Sequence, residues 1–464
     1  MSNAELGKIS DPLENDQRVS FRQRIYIGVT KSGSDMFSVL FAGALFGFYV
    51  DILHMKPIYY GNVMIIFAIW NAINDPIFGY MSDKKRMDKR GKRAFFIRIS
   101  IPFYFAGFLM FWLASPGWSQ ISLFIFLLIS LFIFDTGLTI AGLNISAIQT
   151  DQTSSTNERT RIMLIAMLLS MIPVGLASMT PNLVLTSTTL SNRKMSLIFI
   201  SIGVVAFILM IYGSIKLKEK SLEGEDSQPL PILAAIKETF KSKSFIFFVI
   251  FSFMMNAVAL NLIAVIPLYY KYVFQLDSIQ ILIITIVTGI FYIPTLFIFE
   301  KLQKKFGLRK TFFLTMILMF LGFIGLYFAK TVIFMAICYG VCLCMTTVWW
   351  LLVNPMVGDV TDEDELKTNS RREGMFFGTN ALITKPASSL IIFIFTAMIQ
   401  FFGYNSELAV QSSQAIKGLR LGVGILPLGF LVLGFIALLF YPLHGKRLNH
   451  VKIDLSELHK KRGK

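Results

Sequence analysis

Long apolar stretches separated by short polar segments dominate the chain. The apolar stretches begin near residues 26, 58, 95, 121, 162 and 194, and again near 245, 278, 310, 331, 373 and 419. Each is long enough to cross a bilayer as a helix, which takes about 20 residues. The pattern therefore predicts an all-α membrane protein with twelve transmembrane helices in two sets of six.

The two sets resemble each other, which indicates an internal repeat. Lys89–Phe96 resembles Lys304–Phe313, and Asp151–Arg161, after the fourth span, resembles Asp362–Arg372, after the tenth. Repeats of six spans are typical of transporters built from two pseudo-symmetric bundles. We predict an N-terminal tail at 1–25, a first bundle at 26–215, a linker with an amphipathic helix at 216–244, a second bundle at 245–443 and a basic tail at 444–464.

Charge and composition narrow the class of protein. The 464 residues are 55% hydrophobic and carry a net charge of +16, with basic residues concentrated at 84–93, 301–310, the linker and the tail. Twelve spans place all four segments on one side. We therefore expect a multi-pass protein of the plasma or inner membrane with both termini cytoplasmic. This topology explains the charge without nucleic-acid binding.

Nothing in the sequence favours an enzyme, a metal centre or a nucleotide-driven pump. The chain has no GxxxxGK[ST] phosphate loop. Its three cysteines fall in one apolar segment without a nearby His or acidic residue, so buried thiols are expected there. The four histidines lie outside the predicted spans. We expect no cofactor other than a coupling ion.

A polar stretch inside the second span is the main candidate site. Asn71, Asn74 and Asp75 are three and four residues apart and share one helical face. A carboxylate at this depth is costly unless it is paired, solvated or protonated. Pro76 frees the backbone carbonyl of Ala72. An oxygen-rich site of this kind suits a small cation or a proton. The alternative is a proline kink whose polar groups are satisfied by neighbouring helices.

Lys385, Asp35, Asp135 and Trp350 are further candidates within the predicted spans. Lys385 needs an acidic partner, for which Asp75 and Asp35 are the natural candidates. Asp135 could bind substrate, or it could form an ion pair with Lys385 or another cation that only holds the helices together. Trp350 could stack on a substrate ring or pack against other aromatic residues.

Charged residues at equivalent cytoplasmic ends of the two halves could form a gate. Ion pairs between the two bundles would hold it shut and release it as the bundles move. Ordinary surface pairs would contribute only about 0–1 kcal/mol each. The candidate gate residues are Arg159, Arg161, Asp362, Arg371 and Arg372.

Several of these motifs resemble the glycoside–pentoside–hexuronide:cation symporters of the major facilitator superfamily. The resemblance extends from about Phe21 to Tyr441 and is most specific at Asn71–Pro76 and Asp359–Gly374. It implies two six-helix bundles and alternating-access symport, by a monomer, of a small organic solute with H⁺ or Na⁺. A sugar or glycoside is the expected solute. A lysolipid is the alternative, because related eukaryotic members carry lysophospholipids.

The resemblance also implies roles for the polar span residues. Asp75 matches the second aspartate of the family's cation motif, with Asn74 beside it, whereas Asn71 stands where the first aspartate belongs. Losing that charge lowers the field for Na⁺ and favours H⁺. Lys385 matches the family's intramembrane lysine, which implies that it couples the cation to the solute.

Substrate residues carry over only in part. Asp35 matches a sugar-binding acid and Trp350 a sugar-stacking tryptophan. Gly142 stands where a second sugar-binding aspartate belongs, and Met167 where an arginine belongs. Asp135, two turns from Gly142, could supply the missing carboxylate at a shifted position.

Overall fold

The protein is described by a computed structural model that covers residues 19–84, 91, 93–152, 156–187, 189–219, 237–369 and 372–461. This part of the chain is helical, without strands. The first half contains α1 (Phe21–Gly47, continued by a π-helix at Phe48–Ile52), α2 (Pro57–Lys84), α3 (Arg93–Phe111), α4 (Gln120–Asp151), α5 (Thr156–Leu185) and α6 (Asn192–Lys216).

The second half repeats this arrangement and adds a tail helix. It contains α7 (Lys243–Leu268, continued by a π-helix at Tyr269–Phe274), α8 (Ser278–Phe306), α9 (Leu308–Phe328), α10 (Val332–Thr368), α11 (Glu373–Thr384 and Pro386–Phe401), α12 (Ser413–Arg420, a π-helix at Leu421–Ile425, and Leu426–Phe440) and α13 (Gly445–Lys461). Most of the predicted amphipathic linker helix lies outside the described residues. In the part of the linker that is described, residues 237–239 are helical.

The helices follow from the apolar stretches and from polar residues that begin them. The first backbone N–H groups of a helix have no acceptor within the helix. A side-chain oxygen just before the helix can accept a hydrogen bond from one of them and so stabilise the helix start. Such caps are present at Ser20, Ser119, Ser242, Asp277, Thr331 and Ser412.

Eleven helices within the described residues are long and apolar enough to cross a membrane. The twelfth, α2, spans 28 residues, and Asn71, Asn74 and Asp75 interrupt its apolar sequence. The expected all-α membrane fold of two six-helix bundles is confirmed. We call the end where α6 stops and α7 starts the linker end, and the end where α1 and α7 stop the far end.

At the linker end, both halves contain a glycine with positive φ and an arginine that donates a hydrogen bond to a helix carbonyl. Gly91 precedes α3 and Gly307 precedes α9, and each has φ of 80°, a conformation that favours glycine. Arg98 of α3 donates to the carbonyl of Ser214 at the end of α6, with Nε 3.0 Å from the oxygen. Arg309 of α9 does the same for Leu438 of α12, also at 3.0 Å. These matching contacts support the internal repeat.

Small residues bring α3 and α4 into close contact. A Cβ at Gly107 would lie 2.3 Å from the backbone nitrogen of Phe134, and a Cβ at Gly137 would lie 2.4 Å from that of Tyr104. Neither position tolerates a side chain, and such small-residue contacts are typical of helix packing in membranes. This packing fixes the rotation of α4 and so the direction of its polar residues.

The tail helix α13 is held against the linker end of α10. Arg447 pairs with Glu363 at 2.5 Å, and Lys452 pairs with Asp359 at 3.3 Å. Ser244, at the start of α7, also donates to Glu363. The basic tail therefore neutralises acidic side chains that α10 presents at this end.

Candidate functional site

The polar stretch of α2 faces the interior of the protein. Asn71 is 9% exposed and Asn74 is fully buried, whereas Ile73 between them is half exposed. The helical periodicity thus turns the amides inward and the apolar side chains outward. The side chain of Asp75 is 13% exposed.

Lys385 joins Asp75 across the two bundles. Pro386 has no backbone N–H, so α11 is interrupted at Lys385, and the lysine lies at the break. Its ammonium forms an ion pair with Asp75 and lies 3.5 Å from the hydroxyl of Thr139 on α4. Of the two partners considered for Lys385, the structure gives Asp75. Thr139 was not singled out by the sequence, although it lies one turn from Asp135.

Asp135 belongs to the same cluster through Asn74. It is 2% exposed, and its carboxylate accepts a hydrogen bond from the side-chain amide of Asn74. The sequence allows an ion pair between Asp135 and Lys385. In the structure, the carboxylate that Lys385 contacts is that of Asp75.

Two amide oxygens of α2 are buried without a hydrogen-bond partner among the described residues. They are the side-chain oxygens of Asn71 and Asn74. Native structures leave few buried polar atoms unsatisfied, and an unsatisfied one calls for an explanation such as a bound ion or water. Asn74 contacts Asp135, and Lys385 contacts both Asp75 and Thr139. Asn71 lies one turn before Asp75 on the same face of α2. We call Asn71, Asn74, Asp75, Asp135 and Thr139 the α2 cluster.

Asp35 lies apart from the α2 cluster. Lys31, one turn earlier on α1, contacts both of its carboxylate oxygens at 2.6 and 2.7 Å, and Ser170 of α5 donates to it at 3.2 Å. About a third of each charged side chain is exposed. Asp35 therefore remains accessible to a solute while being held in place by α1 and α5.

The other substrate candidates occupy open positions. Trp350 is 48% exposed, whereas its neighbour Trp349 is fully buried against Phe251 and Phe312. A Cβ at Gly142 would meet no described atom within 4 Å. The structure thus leaves free space at the position where the family resemblance places a second acid.

Among the candidate gate residues, Arg372 forms ion pairs at the linker end. Arg372 pairs with Asp364 at 2.7 Å and lies 3.7 Å from Glu238 of the linker. Asp364 keeps the pKa of Arg372 above its usual value, so the guanidinium stays charged. Arg161 is exposed. The side chains of Arg159 and Arg371 lie outside the described residues, so the gate remains a prediction.

A second inter-bundle network, which the sequence did not predict, lies at the far end. Asp51 ends α1 with its side chain 1% exposed. It accepts hydrogen bonds from Lys271 at 2.6 Å, from Tyr404 at 2.9 Å and from Tyr272. Burial holds the pKa of Tyr404 well above its usual range, so this hydroxyl keeps its proton and donates. Three groups of the second bundle thus satisfy one carboxylate of the first, and we call them together the far-end network.

An apolar cavity of about 640 Å³ lies between α8, α9 and α10. Its walls are almost entirely hydrocarbon, with side chains such as Val287, Phe291 and Ile337. Its volume lies in the range that small-molecule sites occupy, roughly 300–1,000 Å³. The cavity is separate from the α2 cluster.

Comparison with known proteins identifies the family. A sodium-dependent lysophosphatidylcholine symporter of Xenopus tropicalis is 22% identical over 447 residues, covering 87% of this chain and 84% of that protein. A candidate sulfoquinovose importer of Escherichia coli is 24% identical, covering 95% and 94%. A bacterial homologue of the human lysosomal transporter Spinster, in an inward-facing conformation, shares the fold with a TM-score of 0.65 at 12% identity, covering 94% and 98%. The profile of a family described as MFS/sugar transport protein matches residues 26–445, and the chain therefore belongs to that family.

Proposed function

We propose that this protein is a symporter that moves a small organic solute together with a monovalent cation by alternating access. The observation that carries the proposal is the ion pair between Asp75 and Lys385, which joins the two bundles next to buried amide oxygens without partners. Intramembrane charges are costly and mark ion or substrate pathways. The relatives named above are transporters, and we propose no catalytic activity.

The ion pair gives a physical basis for coupling. The Lys385 ammonium occupies the side of Asp75 where a cation would otherwise lie, so a cation that binds there competes with the lysine. When Lys385 is released from Asp75, a contact between the two bundles is lost. This loss changes the free-energy difference between the inward-facing and outward-facing arrangements of the bundles. A ligand shifts such an equilibrium only by its differential affinity for the two states.

We further propose that the linker end faces the cytoplasm and that both termini lie there. The basic segments at 84–93 and 301–310 support this orientation through the positive-inside rule. The far-end network would then lie on the external side of the membrane and hold the two bundles together there. A plasma or inner membrane location and action as a monomer complete the proposal.

The proposed solute is a sugar or glycoside. Asp35 and Trp350 would hold it, because an accessible carboxylate and an accessible indole suit hydroxyl groups and the apolar face of a sugar ring. The Escherichia coli relative supports this class. The alternative is a lysolipid, which the apolar cavity between α8, α9 and α10 favours, since its hydrocarbon walls would suit an acyl chain. The Xenopus relative supports that class.

One experiment separates the solute classes. Thermal unfolding of the purified protein is measured against sugars, glycosides and lysolipids, because a ligand of the folded state raises its apparent stability. Hits are then tested for accumulation in proteoliposomes under H⁺ or Na⁺ gradients. Asp75→Asn should abolish accumulation of the identified solute. Uptake that continues against a concentration gradient in this variant contradicts the proposed function.

A further inference from the structure

We infer that a cavity beside the tail helix α13 binds the phosphate headgroup of an anionic membrane phospholipid. This cavity, which we call the tail cavity, has a volume of about 500 Å³ and lies between the start of α9, the linker end of α10 and the turn from α12 to α13. The volume lies in the range that small-molecule sites occupy. None of the residues of the α2 cluster lines it, and the inference does not depend on the proposed symport.

The backbone around the tail cavity is fixed by two glycine turns. Gly307 precedes α9 with φ of 80°, and Gly445 begins α13 with φ of 55°, and both line the cavity. Other residues are strained in this conformation, so glycine is favoured at both turns. Beyond Gly445, the ion pairs of Arg447 and Lys452 hold α13 against α10. The cavity therefore lies at a junction whose geometry the sequence specifies.

The tail cavity lies at a boundary of the membrane. The apolar span of α9 begins at Leu308 and that of α12 ends at Phe440, and the cavity lies at these two ends. Phospholipid headgroups occupy this level, just outside the hydrocarbon core. Much of the wall is nevertheless hydrocarbon, from Phe306, Leu308, Phe313, Met356, Leu443 and Leu448. A molecule with an apolar part next to its polar group, such as a phospholipid, matches this wall better than a soluble ion does.

Arg309 gives the polar part of the wall a positive charge at a fixed position. Its Nε donates to the carbonyl of Leu438 at 3.0 Å, and one terminal nitrogen donates to that of Leu439. The other terminal nitrogen lies next to the ring of His444, which also lines the cavity. Arginine suits phosphate because its guanidinium is planar, always charged and rich in donors. The contacts with α12 hold this group in place.

The charge of the wall favours an anion. Lys310 lines the tail cavity and is exposed, so with Arg309 it supplies a second positive charge. Asp359 also lines the cavity, but its negative charge is paired with Lys452 at 3.3 Å. Further exposed basic side chains lie in the flanking segments, at Lys301, Lys305 and Lys446. Basic pockets between transmembrane helices at the membrane surface are suited to anionic lipid headgroups.

Tyr441 adds a hydrogen-bond donor that has no use within the described residues. Its side chain lines the tail cavity and is 2% exposed, and its hydroxyl is buried without a partner there. Burial holds the pKa of Tyr441 well above its usual value, so the hydroxyl keeps its proton. An unsatisfied buried donor calls for an explanation such as a bound molecule. A phosphate group supplies oxygen atoms that accept hydrogen bonds.

Titration of the purified, delipidated protein with a short-chain phosphatidylglycerol tests the inference. The rise in the thermal unfolding midpoint in detergent gives the apparent affinity, without any solute or ion gradient. The midpoint of the wild type should rise with phosphatidylglycerol and much less with phosphatidylcholine of the same chain length. Tyr441→Phe should weaken the apparent affinity by about 10-fold, because a hydrogen bond to a charged group is lost. Lys310→Gln should weaken it by about 5-fold.

Two controls accompany these variants. Lys301→Gln removes the same charge from the same basic segment, at an exposed residue that does not line the tail cavity, and should keep the wild-type affinity. In detergent without phosphatidylglycerol, Tyr441→Phe should unfold at the wild-type midpoint, because its hydroxyl has no partner to lose among the described residues. A changed affinity in this variant then reports on lipid binding and not on folding.

Each outcome decides a stated point. Equal affinities for phosphatidylglycerol in the wild type, Tyr441→Phe and Lys310→Gln overturn the site. An equal rise with phosphatidylcholine overturns the anionic headgroup. An equal rise with glycerol phosphate, which carries the phosphate without acyl chains, overturns the lipid in favour of a soluble phosphate. If Tyr441→Phe does not fold, Lys310→Gln and Lys301→Gln decide, because equal affinities in these two variants contradict the inference. Failure of the proposed symport in uptake assays leaves all these results unchanged.

Discussion

The α2 cluster and the far-end network both join the two bundles through a carboxylate and a lysine, yet they differ in how completely their polar atoms are satisfied. Asp51 accepts hydrogen bonds from Lys271, Tyr272 and Tyr404, so its carboxylate has little remaining capacity to bind a ligand. The α2 cluster leaves amide oxygens without partners. A complete network holds a structure together, whereas an incomplete one is suited to binding.

The largest expected effect tests the incomplete site. Asp75→Asn should reduce solute accumulation in proteoliposomes to the level of protein-free liposomes, because the carboxylate proposed to bind the cation is lost. The unfolding midpoints of the variant and the wild type, measured in detergent, separate a loss of transport from a loss of folding. Accumulation at the wild-type level, with normal amounts of protein, contradicts the assignment.

The complete network should respond in stability. Asp51→Asn should lower the free energy of unfolding by about 3–5 kcal/mol, the usual cost of breaking a buried ion pair on one side. Thermal unfolding in detergent measures the loss. Adding Lys271→Gln should cost less than the sum of the single changes, since the two residues are in contact. An unchanged midpoint in Asp51→Asn would show that the network does not stabilise this conformation.

A smaller effect is expected for the tyrosine that completes the far-end network. Tyr404→Phe removes a hydrogen bond to a carboxylate and should cost about 1.5–3 kcal/mol of stability. Tyr441→Phe serves as the control, because the Tyr441 hydroxyl is buried without a partner among the described residues. Equal midpoints for the two variants would contradict the contribution of the Tyr404 hydrogen bond.

The smallest effect is expected for a partly exposed pair within one helix. Lys31→Gln breaks the contact with Asp35, and about a third of both side chains is exposed. The loss of stability should be about 0–1 kcal/mol, as for surface ion pairs. Thermal unfolding in low and high salt checks this, and salt should narrow the difference from wild type. A loss of stability as large as that of Asp51→Asn would contradict the view that the buried far-end network stabilises the protein more than a partly exposed ion pair does.

The sequence predicted the fold and one half of the α2 cluster. Spans follow directly from apolar length, and an intramembrane lysine has few acidic partners, so Asp75 was among those expected for Lys385. The position of Asp135 depends on the rotation of α4, which the contacts of Gly107 and Gly137 set, and no single-sequence pattern gives that rotation. The far-end network was missed because Tyr404 comes from a loop and Asp51 ends a span, where a charge is unremarkable.

The ion pair across the bundles also has a consequence for how the protein is made. Lys385 follows Asp75 by 310 positions. At about 5–20 residues per second, a ribosome needs roughly 15–60 s to make that stretch. During this time α2 must enter the membrane before Lys385 is available to pair with Asp75. Asn74 and Asp135 both belong to the first bundle, so their hydrogen bond can form earlier. The ion pair that joins the two bundles can therefore form only late in synthesis, once α11 has been made.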